Sequence, residues 1–153
     1  MANTCTQIHI QAVFAGQNRQ SLIGKKWEDQ LYKYTAGMVQ NNGHKMLQIN
    51  GMPDQIHLLF GVRPVQGLSD LMKQVKQDSP GWINQKRLAG GRFSWQAGYG
   101  AFPYSRPQLP RVIKYIQNQQ EHHKTKTFKE EYLALLDAHG VDYDERYIFQ
   151  PIE

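Results

Sequence analysis

An α+β fold built on one antiparallel sheet is predicted by three observations. Two stretches, residues 7–14 and 53–62, carry large apolar side chains in the pattern of strands. A Gly51-Met52-Pro53-Asp54 turn joins the second of these directly to the strand before it, residues 44–50, which makes a hairpin. Helical segments, with apolar residues three and four apart, lie between and after the strands. The 153 residues suffice for one domain with a real core and are too few for two.

In the first strand Ile8, Ile10, Ala12 and Phe14 share one face while Gln7, His9 and Gln11 share the other. A helix is expected over residues 21–40, with Leu31, Tyr34, Met38 and Val39 as its stripe, stopped by Asn41-Asn42-Gly43. Leu47 and Ile49 anchor the second strand. In the central strand, residues 53–62, Gln55 and His57 point one way and Ile56, Leu58 and Phe60 the other. Imidazole nitrogen and amide oxygen both donate to divalent ions, so Gln55 and His57 suit either a cation site or the polar surface of an ordinary sheet.

Leu68, Leu71, Met72 and Val75 mark a second helix that Pro80-Gly81 should interrupt. Residues 93–96 read as a short strand, followed by the glycine-and-aromatic stretch 98–102. That stretch fits either a close approach to a ligand with rings for base stacking, or a tight bend with aromatic packing. Val112, Ile113 and Ile116 give a third helix its stripe; Tyr115 and Gln119, four apart, lie one above the other beside it. A last helix over 127–139 uses Phe128, Tyr132, Leu135 and Leu136 and ends at Gly140. The order strand, helix, strand, strand, helix, strand predicts a ferredoxin-like sandwich (βαββαβ) with helices on one sheet face and further C-terminal helices. The opposite face is expected to be open and polar. The expected division of the single domain 1–153 is a core at 7–105, a helix carrying Tyr115 at 107–121, and a last helix and tail at 127–153.

A formal net charge of +5 suggests an acidic partner, nucleic acid first. Cys5 is the single cysteine, which excludes an internal disulfide framework and a Cys-rich zinc site. No apolar run reaches membrane-span length, and residues 1–6 lack the features of a signal peptide, so a cytoplasmic protein without membrane association is expected.

The run Asn50-Gly51-Met52-Pro53-Asp54-Gln55-Ile56-His57-Leu58-Leu59 resembles the central motif of the small single-tyrosine HUH transposases of bacterial insertion sequences, the TnpA type. Residues 95–102 and 115–123 resemble that family's later blocks in matching order, so the similarity runs from about His9 to Phe149. The resemblance implies a DNA transposase that cleaves and rejoins single-stranded DNA at hairpin-bearing ends through a 5′-phosphotyrosine, working as a homodimer with Mg²⁺ or Mn²⁺. Carried over by position, Tyr115 is the nucleophile, and Gln55, His57 and Gln119 hold the ion. One departure matters: Gln55 stands where the family's first motif histidine would be. A second reading follows from it, a catalytically weakened or dead homologue that binds DNA hairpins.

Arg19, Lys73, Lys76, Tyr99, Lys114, Lys124 and Lys126 are candidate DNA contacts, each with a solvated surface as the plain alternative; Lys129 is a further candidate of the same kind. Tyr104 is the rival nucleophile, without a glutamine one turn later. His122 and His123, neighbours on a helix, should diverge by about 100° and not converge on one ion. A non-catalytic RNA-binding module would need stacking aromatics on the central strands, where Gln11, Gln55 and His57 stand instead.

Overall fold

The computed structural model describes residues 8–64, 66–144, 146 and 148–150; Cys5 and Gln7 lie outside the described residues. Four strands, β1 (Ile8–Ala15), β2 (Lys45–Met52), β3 (Gln55–Val62) and β4 (Gly100–Tyr104), form one sheet in the order β2-β3-β1-β4. Every neighbouring pair is antiparallel. Among the described residues five α-helices accompany them: α1 (Glu28–Asn41), α2 (Leu68–Gln85), α3 (Leu109–Gln117), α4 (Gln119–His122) and α5 (Phe128–Ala138). The fold is the predicted α+β, ferredoxin-like one, with β1 and β3 central. Only Pro53 and Asp54 separate β2 from β3, as the hairpin requires.

Strand alternation divides the chemistry between the two faces. Ile10, Ala12 and Phe14 of β1 and Ile56, Leu58 and Phe60 of β3 are buried with Leu31 and Val39 of α1 and Leu71, Met72 and Val75 of α2. This is the main core.

The second face is not open. Helices α3 and α4 lie against β2, and Phe102 of β4 meets Tyr132 of α5 with ring centroids 6.2 Å apart. Gln11, Gln55 and His57 are therefore buried rather than presented to solvent. Apolar residues interleaved with the polar ones on that face explain the cover: Leu59 of β3 packs on Val112 and Ile116 of α3.

Three expected elements shift. The first helix starts at Glu28, after a short 3-10 turn at Arg19–Ser21. Helix α2 runs on through Pro80. An interior proline costs about 3 kcal/mol. Here Val75, Ser79 and Ile83 are all buried along one stripe and Trp82 stacks on Tyr34 at 4.8 Å, so tertiary burial outweighs that cost. Trp95, in the stretch expected as a strand, forms only an isolated bridge to Gly16, and the fourth strand is Gly100–Tyr104. Pro103 is tolerated there because β4 is an edge strand. A Cβ on Gly100 would come within 2.7 Å of the Tyr132 ring, so the close approach this glycine permits is to α5. Packing, not base stacking, accounts for it.

Leu58→Ala, at a fully buried position, should lower unfolding free energy by about 2–5 kcal/mol. Urea denaturation followed by circular dichroism would read this, and an unchanged midpoint would contradict the packing described.

Candidate active site

β3 supplies Gln55 and His57, both with no exposed surface. Pairing places His57 opposite Val13 and Gln11 opposite Leu59, so Gln11 sits one step along the same face. Gln11 Nε2 donates to His57 Nδ1 at 3.0 Å, and Gln11 Oε1 accepts the Tyr104 hydroxyl at 2.9 Å. With Nδ1 accepting, the His57 proton resides on Nε2.

Helix α3 carries Tyr115 and is set on the sheet by Val112 and Ile116. It ends at Gln117, where Asn50 of β2 donates its Nδ2 to the carbonyls of Ile116 (2.9 Å) and Gln117 (3.2 Å). Those carbonyls belong to the last turn, which has no helical donors left for it. After Asn118 the chain re-enters helix as α4, whose first residue is Gln119. Tyr115 and Gln119 thus project from two helices rather than one, yet both arrive at the β3 pair.

They meet on Glu131 of α5, which is 1% exposed. Its Oε1 lies 3.1 Å from both His57 Nε2 and His123 Nε2. Its Oε2 accepts Gln119 Nε2 at 3.0 Å and the Tyr115 hydroxyl, with His122 Nε2 3.6 Å away. Gln55 Nε2 donates to Gln119 Oε1 at 3.3 Å and lies 2.8 Å from His123 Nε2. His122 and His123 therefore do converge, on different oxygens of one carboxylate. His122 is the last residue of α4 and His123 its cap.

The electrostatics follow from burial and this crowding. Desolvation alone would raise the Glu131 carboxyl, but hydrogen bonds from His123 and His57 outweigh it and hold the group well below the usual carboxylate range. Tyr115 moves the other way: burial, then the adjacent Glu131 charge, push its hydroxyl well above an ordinary tyrosine. Burial lowers His122. Burial also opposes the charged form of His123, but its hydrogen bond to Glu131 wins and the net shift is upward.

Among the described residues, no three His, Cys, Asp or Glu side chains form a group that would hold a metal ion. Any ion here would depend on amide oxygens. Gln55 Oε1 is buried without a partner, an uncommitted donor inside the cluster. Together with Gln119 Oε1, which the other end of the Gln55 amide reaches at 3.3 Å, and His57 Nε2, it would make a donor set of mostly hard oxygen, which fits Mg²⁺ or Mn²⁺.

The expected DNA contacts separate. Arg19, Lys124 and Lys126 are exposed along one groove that also contains Asp54 and His123 and so reaches the cluster. Lys114 is exposed beside Tyr115, in a hollow shared with Arg111. Lys73 is exposed on α2, on the far side of the sheet. Lys76 is not free for phosphate: its Nζ donates to the carbonyls of Gln96 (2.8 Å) and Gly98, and burial lowers its pKa. Tyr99 packs against the main core.

Sequence reasoning missed Glu131, the partnership of Gln11 with Tyr104, and Arg111, which flanks the Tyr115 cleft. One signal was present for Glu131. It falls three residues after Phe128 and four before Leu135, inside the apolar stripe of its helix, where a carboxylate needs a partner.

The profile of the family described as "Transposase IS200 like" matches residues 4–119. The ISDra2 transposase TnpA of Deinococcus radiodurans is 23% identical over 121 residues, covering 75% of this chain and 86% of that protein. A crystal structure of a candidate transposase from Deinococcus radiodurans matches with TM-score 0.60 and 21% identity over 78% of this chain and 95% of that one. A REP-associated tyrosine transposase bound to a REP hairpin matches with TM-score 0.60 and 12% identity, over 80% and 74% of the two chains.

Burial pushes Tyr104 up to about 12. A hydroxyl that keeps its proton longer in the folded chain contributes stability in full below its unfolded pKa of about 10 and loses it as pH rises through 12. Tyr104→Phe should therefore be less stable than wild type at neutral pH, by about 1 kcal/mol for the lost bond to Gln11, and lose less stability above pH 10. Denaturant melts at stepped pH test this; parallel alkaline limbs for the two chains would refute it.

Proposed function

The chain belongs to the family of IS200-like transposases, and we propose that it cleaves and rejoins single-stranded DNA at hairpin-bearing ends through a 5′-phosphotyrosine on Tyr115. One observation carries the reading. A tyrosine hydroxyl, the His57 imidazole and the Gln119 amide, from α3, β3 and α4, gather on one buried carboxylate, with Gln55 bonded to Gln119 behind them, beside a groove rimmed by Arg19, Lys124 and Lys126.

In this reaction the Tyr115 oxygen attacks phosphorus, the bond from phosphorus to the 3′ oxygen breaks, and the departing strand leaves as a 3′ hydroxyl. The bond energy is retained in the phosphotyrosine, and a second 3′ hydroxyl reverses the step to rejoin DNA. Gln55, His57 and Gln119 would hold a divalent ion, which supplies Lewis-acid polarisation of the phosphate and steadies the leaving oxygen. Gln11 fixes the His57 ring through Nδ1, with Tyr104 holding Gln11 in turn. Glu131 Oε2 orients the Tyr115 hydroxyl by accepting its proton in a hydrogen bond. Exposed cations along the groove guide the DNA backbone. That a REP-associated relative is bound to a hairpin supports a hairpin substrate here.

A homodimer acting in the cytoplasm completes the reading. The hydroxyl of Tyr115 already reaches the cluster of its own chain, its ring 6.3 Å from that of His57, so pairing of two chains is not needed to deliver the nucleophile. No helix among the described residues is long and apolar enough to cross a membrane.

The second reading, a hairpin-binding protein of little or no activity, is favoured by the Tyr115 hydroxyl being held protonated against Glu131. Denaturing gels of the chain with a labelled hairpin oligonucleotide and Mn²⁺ separate the two. Under the leading reading wild type forms a covalent adduct, Tyr115→Phe binds the oligonucleotide but forms none, and Gln55→His forms more. Binding without any adduct, even in Gln55→His, leaves only the second reading standing. An adduct in Tyr115→Phe would move the nucleophile to Tyr104.

A further inference from the structure

We propose that Glu131 is itself a ligand of the divalent ion, joining Gln55, His57 and Gln119, and that its other oxygen ties the Tyr115 hydroxyl to that ion. The inference rests on the proposed metal-assisted reading and concerns a residue beyond the stretch 4–119 that matches the family profile.

Charge carries the case. Gln55 and Gln119 are neutral amides, and His57 is a neutral donor in the tautomer that carries its proton on Nδ1, with the Gln11 amide turned to accept it; without Glu131 the ion would be taken from water by three uncharged groups. Mg²⁺ and Mn²⁺ favour anionic oxygen, and a dication in a closed site is costly without a counter-charge. Glu131 is the carboxylate in contact with this cluster, and it touches both His57 and Gln119. It makes up, with charge, for the imidazole that Gln55 does not provide.

Spacing agrees. Donors about 2.1 Å from an octahedral ion stand about 3 Å apart along an edge. Glu131 Oε1 and His57 Nε2 are 3.1 Å apart. A shared proton gives the same spacing, so distance alone does not discriminate, and in the present state the His57 proton occupies that line. Moving that proton to Nδ1, where the turned Gln11 amide accepts it, frees the Nε2 lone pair for a cation on the same line.

The carboxylate has no easy retreat. Its helix is anchored by buried Phe128, Tyr132 and Leu136, and Phe149 closes over them, 4.9 Å from the Tyr132 ring. An ion reaching His57 Nε2 therefore meets Glu131 Oε1. The two oxygens face different partners: Oε1 faces His57 and His123, while Oε2 faces Tyr115 and Gln119. One carboxylate can thus bind the ion through Oε1 and hold the nucleophile through Oε2.

The test measures ion binding without DNA, so it does not depend on turnover. Mn²⁺ is titrated into the full chain and free Mn²⁺ is followed by electron paramagnetic resonance, with thermal melts confirming that each variant is folded. Wild type should bind one Mn²⁺; His57→Ala and Glu131→Gln should each weaken it by roughly tenfold or more. Adding Gln55→Glu to Glu131→Gln should recover much of the loss, because it returns an anionic oxygen to the cluster. If Glu131→Gln does not fold, Glu131→Asp replaces it, with weakened binding expected from the shortened reach. A folded Glu131 variant that binds Mn²⁺ as tightly as wild type overturns the inference alone, and tighter binding would mean the carboxylate competes with the ion. Absence of Mn²⁺ binding in wild type overturns the inference together with the metal-assisted reading, whereas the covalent adduct tests Tyr115 separately.

Discussion

The buried Glu131 carboxylate is the interaction on which the arrangement of the site depends. An isolated carboxylate in an apolar interior is strongly disfavoured, and it persists only where donors surround it. Here His57, His123, Gln119 and Tyr115 all point at it. Those donors come from β3, α3, α4 and the residue after α4, so satisfying one anion holds four parts of the chain in register. The same contact draws α5 across a sheet face that would otherwise be solvated. Burying the charge and closing the second face are one event.

The rigid part of the site is the sheet. Along β3 a single residue step changes the role of the side chain, from core at Ile56 and Leu58 to cluster at Gln55 and His57. Leu59 interrupts the polar series and gives α3 an apolar seat through Val112 and Ile116. Tyr115 lies next to Ile116 on that helix, so its height above His57 is set by packing several residues away from any chemistry. Asn50 then terminates α3 by taking its last carbonyls, which lets Gln119 start a new helix with its own direction. Precision at the cluster comes from a strand, a hydrophobic seat and a side-chain cap.

Much of this was legible in the sequence, because it is local. Period-two alternation identified both central strands and the shared face of Gln55 and His57. The Pro53-Asp54 turn identified the hairpin; the four-residue spacing of Tyr115 and Gln119 presumed one helix, whereas α3 ends at Gln117 and α4 begins at Gln119. What failed was nonlocal. Pro80 looked like a break because its local cost is visible in sequence, while the burial of Val75, Ser79 and Ile83 that offsets it is not. The second face looked open because its polar residues were counted without their distant partners. Glu131 is 74 residues from His57 along the chain, and only its place inside an apolar helical stripe hinted that it was buried. Lys76 had the composition of a phosphate contact, yet loop carbonyls claim it.

The distribution of charge gives these pieces a common logic. The chain carries net positive charge, and Arg19, Lys124 and Lys126 rim the groove, so the approach favours a polyanion. At the end of that approach lies an anion, Glu131, in a setting of low exposure where charges act strongly. Left uncompensated, it would repel the phosphate that the rim attracts and would keep Tyr115 in its unreactive, protonated form. His122 and His123 flank the carboxylate and shift in opposite directions, His122 towards neutrality by burial and His123 towards its charged form through its bond to Glu131. A cation in the cluster, as proposed, reverses the local sign at the point where phosphate and phenol must meet. Under the proposed function the buried carboxylate has two consequences at once: its own charge disfavours a phosphate beside it, and the same charge would favour a cation in the cluster.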